Sequence, residues 1–237
     1  MPYLQRTTKA GKTIFVDKYY SSRYGKKSGS KAPTREESSE KQKLINDRRA
    51  QRELQLLLLA NFVPKDLHLV LTYRKGQRPD PDEAKQRVSG FLRKVRKIYR
   101  ANGKELKYVL FPPEHKTAAI HHHLVINAID PALLVELWPY GSIRPSYLYE
   151  EGQFLGLAIY LLKEAARVDD SRDSGKKRYS TSRNLIRPKA KVKVIPADSW
   201  LDDPRPLKGY YIPADSIETD VDERGMPYQS YWMVKLE

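Results

Sequence analysis

The chain has 237 residues, no cysteine and a formal net charge of +15, and 40% of its residues are hydrophobic. That length supports one domain of ordinary size with extensions around a buried core. The absence of cysteine excludes disulfides and thiolate metal sites and fits a reducing, cytoplasmic setting. The longest apolar stretch, residues 54–60, is too short to cross a bilayer, and the opening MPYLQRTTKAGK holds no signal-peptide core. A soluble protein without a membrane partner is therefore expected.

In chain order, residues 1–40 mix Lys, Arg, Gly, Ser and Tyr without a helical period and read as a basic arm, with a strand fragment at 13–16. Thr34 and Glu37 have capping-box spacing, and Leu44, Ile45 and residues 54–59 supply the stripe of a helix that ends at Asn61-Phe62-Val63-Pro64. LHLVLTY (67–73) is strand-like. Asp80, Pro81 and Glu83 then form a helix start, with Val88, Phe91, Leu92, Val95 and Ile98 on one face and Asn102-Gly103 as the stop. Strands are predicted at 106–111, 119–127 and 142–148, a short helix at 130–137 and a longer one at 153–168. Residues 169–193 read as a basic loop, and 229–236 as a strand that adds to the edge of the same sheet.

The order β-α-β-β-α-β is that of a split βαβ, ferredoxin-like domain of the α+β class. It lays an antiparallel sheet under two helices and leaves one sheet face free for a ligand. Residues 111–160 carry 2 Lys+Arg against 5 Asp+Glu, whereas both flanks are strongly basic. Basic flanks around a mildly acidic, histidine-bearing centre fit a polyanion laid across a metal site.

Four of the five histidines lie between 115 and 123. On a strand, His121 and His123 point to one face and His122 to the other. An i, i+2 pair of neutral imidazoles can share a divalent cation. Glu114, at the end of the neighbouring predicted strand, is the first choice for a third ligand, with Asp66 or a later carboxylate as substitutes. Two imidazoles and a carboxylate suit Mn, Mg or Zn with positions left for phosphate oxygens. His68 and His115 are read as structural or exposed. Tyr160 and Lys163 share a helix face. Beside a metal-polarised phosphodiester, Tyr160 could act as a nucleophile with Lys163 offsetting charge; otherwise the tyrosine is packing. No G-x-x-x-x-G-K-[ST], H-E-x-x-H or G-x-S-x-G occurs.

The triplet His121-His122-His123 with its following hydrophobics, and Tyr160-x-x-Lys163 after it, resemble the His-hydrophobe-His and Y-x-x-K motifs of HUH endonucleases, the rolling-circle replication initiators of plasmids, phages and single-stranded DNA viruses. Residues 69–73 (LVLTY) resemble their first strand motif. Trp138, Gly141, Ser182-Arg183-Asn184-Leu185 and Pro188 resemble a bacterial and phage branch of replication-associated proteins. The likeness runs from about residue 43 to 188 and implies a catalytic domain over 41–193 with a C-terminal extension over 194–237. It implies metal-dependent nicking of single-stranded DNA at a replication origin, with Tyr160 as nucleophile, His121, His123 and Glu114 as metal ligands, and Mn or Mg as the metal. The product would be a 5′-phosphotyrosine link and a free 3′-OH. One nucleophilic tyrosine is evident, and a separate helicase would open the duplex. The middle position of the triplet, usually hydrophobic, is His122 here.

For the DNA, the basic helix (Arg87, Arg93, Lys94, Lys97, Arg100) and the basic loop (Lys176, Lys177, Arg178, Arg183, Asn184) are the candidate contacts, with Tyr140, Tyr179 and Trp138 as stacking candidates, Trp138 fitting the core equally well. Two other functions fit the same elements. One is a non-catalytic RNA-recognition-type module, which would carry aromatic residues where His121 and His123 stand. The other is a metal-dependent phosphodiesterase that uses water.

Overall fold

Two stretches of alternating residues open the chain, and each becomes a strand: β1 (Tyr3–Ala10) and β2 (Thr13–Tyr20). Gly11 turns between them at φ 56°, a left-handed conformation open to glycine without steric cost. The computed structural model describes residues 2–21, 24–25, 40–112, 120–149, 151–166, 178–196, 203–221 and 225–236. The remaining elements are α1 (Glu40–Asn61), β3 (Leu67–Thr72), α2 (Pro81–Ala101), β4 (Tyr108–Leu110), β5 (His121–Ile126), α3 (Ala132–Val135), β6 (Ile143–Tyr147), α4 (Leu155–Ala166), β7 (Ser180–Thr181), β8 (Ala190–Ile195), β9 (Tyr210–Tyr211), β10 (Glu218–Val221) and β11 (Pro227–Lys235). A 3₁₀ turn, Glu151–Phe154, leads into α4. They form two units, Met1–Asp47 with Arg187–Glu237, and Arg48–Ile186.

In the Arg48–Ile186 unit the sheet order is β6-β3-β5-β4-β7, every pairing antiparallel. Its first four strands have the split βαβ order that the sequence pattern predicts. The α+β class holds. Asp80 caps α2 by accepting the Glu83 amide at 2.8 Å, and Pro81 occupies the first turn, where its missing N–H goes unneeded. The buried face of α2 (Ala84, Val88, Phe91, Leu92, Val95, Tyr99) packs on Leu67, Leu69, Leu71, Leu124 and Ile126. Leu134 and Trp138, on and just after α3, complete the same cluster. Each large apolar side chain buried this way is worth about 1.5–3 kcal/mol.

The alternate residues of β3 and β5 (His68, Val70, Thr72, His121, His123, Val125) necessarily face the other side. That side, expected to be free, is partly covered, because α4 brings Tyr160 against it. Gln55 of α1 donates to the Gln153 carbonyl at 3.0 Å, which ties the start of α4 to α1. Gln153 and Phe154 there hold φ of 52° and 58°, left-handed values that non-glycine residues rarely adopt.

The other unit differs from the sequence expectation in two ways. Residues 3–20 form paired strands rather than an arm, and residues 190–195 of the predicted basic loop are a strand paired with β1, whereas residues 180–181 of that loop pair with β4 in the histidine-bearing sheet. The C-terminal strand β11 pairs with β2, not with the histidine-bearing sheet. The order is β10-β11-β2-β1-β8 with β9 on β11. Ile14, Val16, Tyr231 and Met233 make its small core with Tyr210, Ile212 and Ile217. The physical reason is long-range pairing, since β2 and β11 are locally ambiguous alternating stretches whose partners lie at opposite ends of the chain. The Thr34–Glu37 helix start lies outside the described residues.

Candidate metal centre

Strand alternation sets the site. In β5, His121 pairs with Thr72, His122 with Leu71 and His123 with Val70. His121 is half-buried and His123 is buried. The Nε2 atoms of these two residues lie 3.1 Å apart. Glu164 of α4 reaches the pair, and the three ligand atoms all lie within 4.8 Å of one another. Two donors about 2.1 Å from one cation are at most about 4.2 Å apart. The imidazole pair meets that limit as it stands, and the Glu164 carboxylate stands within 4.8 Å of both. Two imidazoles and a carboxylate are a donor set suited to a divalent cation, so this cluster could hold a metal ion.

His68 stands behind the pair. Its Nε2 is 3.0 Å from Nδ1 of His123, and Ser146 Oγ is 3.5 Å from its own Nδ1. Because His123 Nδ1 is engaged by His68, its Nε2 is the nitrogen turned toward His121 and Glu164. Burial lowers the pKa of His68 to about 4. It lowers His123 further, to about 3, with the neighbouring His68, His121 and His122 adding to the effect. At neutral pH both rings are therefore uncharged, the form that binds metal. The sequence reading left His68 as structural or exposed; it is buried and coupled to a candidate ligand.

His122 points to the α2 side, where its Nε2 shares a 2.8 Å hydrogen bond with Tyr73 Oη. Trp138 stands edge-on to it with ring centroids 6.0 Å apart. Trp138 is buried and donates to the Thr72 carbonyl at 2.7 Å, so it serves packing rather than base stacking. Gly141 lies against the same carbonyl: a Cβ there would fall 2.0 Å from Thr72 O, which excludes any side chain.

Tyr160 is 42% exposed, and its ring stands edge-on to His123 with centroids 5.4 Å apart and to His68 at 6.2 Å. Glu164 follows one helical turn later on the same side of α4. That i, i+4 spacing was the sequence signal for Glu164, although a local period does not reveal which sheet face a helix meets. Lys163 is exposed. Glu114, the first-choice ligand, lies outside the described residues, as does His115. Asp66, the substitute, is at the far end of β3 and accepts from the Val63 and Ala128 amides at 2.9 and 2.7 Å. Burial raises its pKa against those bonds. It is not at the site.

The basic helix is not at the site either. Arg93, Lys94, Lys97 and Arg100 are exposed on α2, whose inner face covers the sheet side opposite His121 and His123. Arg87 pairs with Glu83 and lies over the Tyr140 ring at 4.4 Å and the Tyr73 ring at 5.6 Å. Tyr179 packs on Phe111 with centroids 5.5 Å apart. Asn184 donates to Glu105 Oε2 at 3.2 Å and to the Leu106 carbonyl at 3.3 Å, which anchors the segment before β8. Arg183 is exposed and Arg178 half-buried, while Lys176 and Lys177 lie outside the described residues.

Among the described residues, no helix is long and apolar enough to cross a membrane. Residues 66–165 match the family model described as replication-associated protein ORF2/G2P. This segment holds β3, β5 and α4, and so every residue of the cluster. No curated protein and no solved structure gives a significant match.

Proposed function

We propose that this chain is a replication initiator of the HUH type that nicks single-stranded DNA at an origin, with Tyr160 as the nucleophile. The observation that carries this reading is the shared placement of Tyr160 and Glu164. One helix turn presents a partly exposed phenol at the edge of His123 and a carboxylate at the His121–His123 pair. The family match over residues 66–165 supports a role in replication.

His121, His123 and Glu164 would hold a divalent cation, Mn or Mg, which when bound polarises a non-bridging oxygen of the scissile phosphate. Tyr160 Oη gives up its proton to solvent and, as the phenolate, forms the new bond to phosphorus. The bond from phosphorus to the 3′ oxygen breaks, and that oxygen takes up a proton from solvent to become the free 3′-OH. The 5′ phosphate stays on the tyrosine until a strand transfer reverses the step. His68 and Ser146 hold His123 in the tautomer that leaves Nε2 unprotonated. Lys163, three residues after the nucleophile, supplies positive charge as the phenolate attacks. Glu114 is a further acidic candidate ligand for the same cation. The chain carries no nucleotide-hydrolysis loop, so a separate helicase would supply the opened strand.

The test is an adduct assay. Full-length protein is mixed with pools of labelled single-stranded oligonucleotides and Mn²⁺, and covalent complexes are resolved on denaturing gels. The expected result is a metal-dependent adduct with one sequence class, lost in Tyr160→Phe while Mn²⁺ binding is kept. An adduct that persists in Tyr160→Phe rules out this nucleophile. Cleavage without any adduct would instead establish a phosphodiesterase that uses water.

A further inference from the structure

In the sheet of the Met1–Asp47 and Arg187–Glu237 unit, charge is sorted by face. The register places Lys193, Gln5, Lys18, Gln229 and Thr219 in one row across five strands, all on one side. Lys191 and Thr7 lie in the next row of that side, and Lys9 and Lys235 are on it too. These are all the lysines that the strands of this sheet contain. The carboxylates of the same strands, Asp17, Glu218 and Asp220, are all on the other side. There Arg6 is paired with Asp17 at 3.0 Å, and Ser230 donates to the same carboxylate at 2.8 Å. A sheet whose charges served only solubility would interleave the two signs.

The open part of the lysine side is the β8–β1 half. Lys191 and Lys193 are exposed, and Gln5 and Thr7 are half-buried. The β2–β11 half is partly covered by Tyr210, Ile212 and Ile217. Lys18 is buried beneath, its ammonium 5.9 Å from the Tyr231 ring centre. Burial and the nearby Lys193 charge lower its pKa. Next to the Gln5–Lys18 row, on the same side, Tyr3 and Tyr20 form an edge-to-face pair with centroids 5.6 Å apart. A positive strip beside half-buried aromatic rings is the chemistry that holds a single strand, with lysines on phosphates and rings against bases.

We infer that the Lys191–Lys193–Gln5–Thr7 face, with Tyr3 and Tyr20, is a second surface for single-stranded DNA, built from residues outside the metal centre. It does not depend on Tyr160 chemistry. It assigns to the terminal segments a job that the histidine-bearing sheet does not do, gripping the strand without cutting it.

The experiment uses full-length Tyr160→Phe protein in EDTA, so nicking plays no part and its failure cannot be mistaken for failure here. Anisotropy of a labelled mixed-sequence single-stranded oligonucleotide is followed across about 50–200 mM salt. Each phosphate contact on a single strand contributes about 0.7 to the slope of log K against log salt. Lys191→Gln with Lys193→Gln should therefore flatten the slope by about 1.4. Lys191→Arg with Lys193→Arg should restore it, and Val192→Thr with Val194→Thr, on the opposite face of the same strand, should leave it unchanged. A full slope in the glutamine variant overturns the inference, as does equal loss in the threonine variant. Tighter binding of a blunt duplex with the same lysine dependence overturns the single-strand assignment.

Discussion

His68 Nε2 lies 3.0 Å from His123 Nδ1, which joins a β3 side chain to the candidate ligand whose ring meets Tyr160 edge-on. When His123 Nδ1 donates in that bond, its Nε2 is left to offer a lone pair on the His121 and Glu164 side. Removing such an orienting partner typically lowers metal affinity about 10–100-fold. His68→Ala should therefore weaken Mn²⁺ binding by that factor in calorimetry, although His68 touches no ion. Unchanged affinity would mean that packing alone orients His123.

The same two rings should make the metal-free protein acid-labile. Their pKa values sit near 4 and 3, below the unfolded value of about 6.5. A base depressed in the folded state contributes stability that is complete above the unfolded pKa and lost as pH falls through the folded value. The urea midpoint should thus drop as pH falls from about 6.5 toward 4, and His68→Gln should flatten that drop. A midpoint that is level over this range in the native chain contradicts the assignment.

Glu164 and Glu114 can be separated directly. Glu164→Gln removes the carboxylate that α4 brings to the histidine pair; it should abolish Mn²⁺ binding, read by calorimetry, and leave the melting temperature near that of the parent. If Glu114→Gln alone abolishes binding, Glu114 is the third ligand.

His122→Leu is the counter-test on the opposite face. It should keep Mn²⁺ binding but leave Tyr73 Oη, buried and bonded to His122 at 2.8 Å, without that partner. Such an orphaned group costs about 1–3 kcal/mol, measurable as a lower urea midpoint. Loss of metal binding instead would place His122 on the metal side.

Gly141→Ala should be more damaging than its size suggests. The new Cβ would meet the Thr72 carbonyl at 2.0 Å, and backbone must move because Thr72 O also accepts from Trp138. The expected outcome is a destabilised or insoluble protein, and an alanine variant with the parent's melting temperature would refute the close approach.

Local spacing by itself determined much of this protein. The Asp80–Pro81 cap, the apolar face of α2, the division of three histidines into a pair and a neighbour, and the Tyr160 helix follow from periods of 3.6 and 2. Those periods state which residues share a face and are silent on what that face meets. Only tertiary packing decided that α4 crosses the His121–His123 side, which made Glu164 the carboxylate at the pair and gave His68 a partner. It also set α2, with its exposed cations, on the far side of the sheet. The same limit applies to the termini. Residues 3–20 and 227–235 are weak alternating stretches when read alone, and their charge sorting appears only once long-range hydrogen bonding fixes the register. A single-residue slip of β8 would send Lys191 and Lys193 to the carboxylate side.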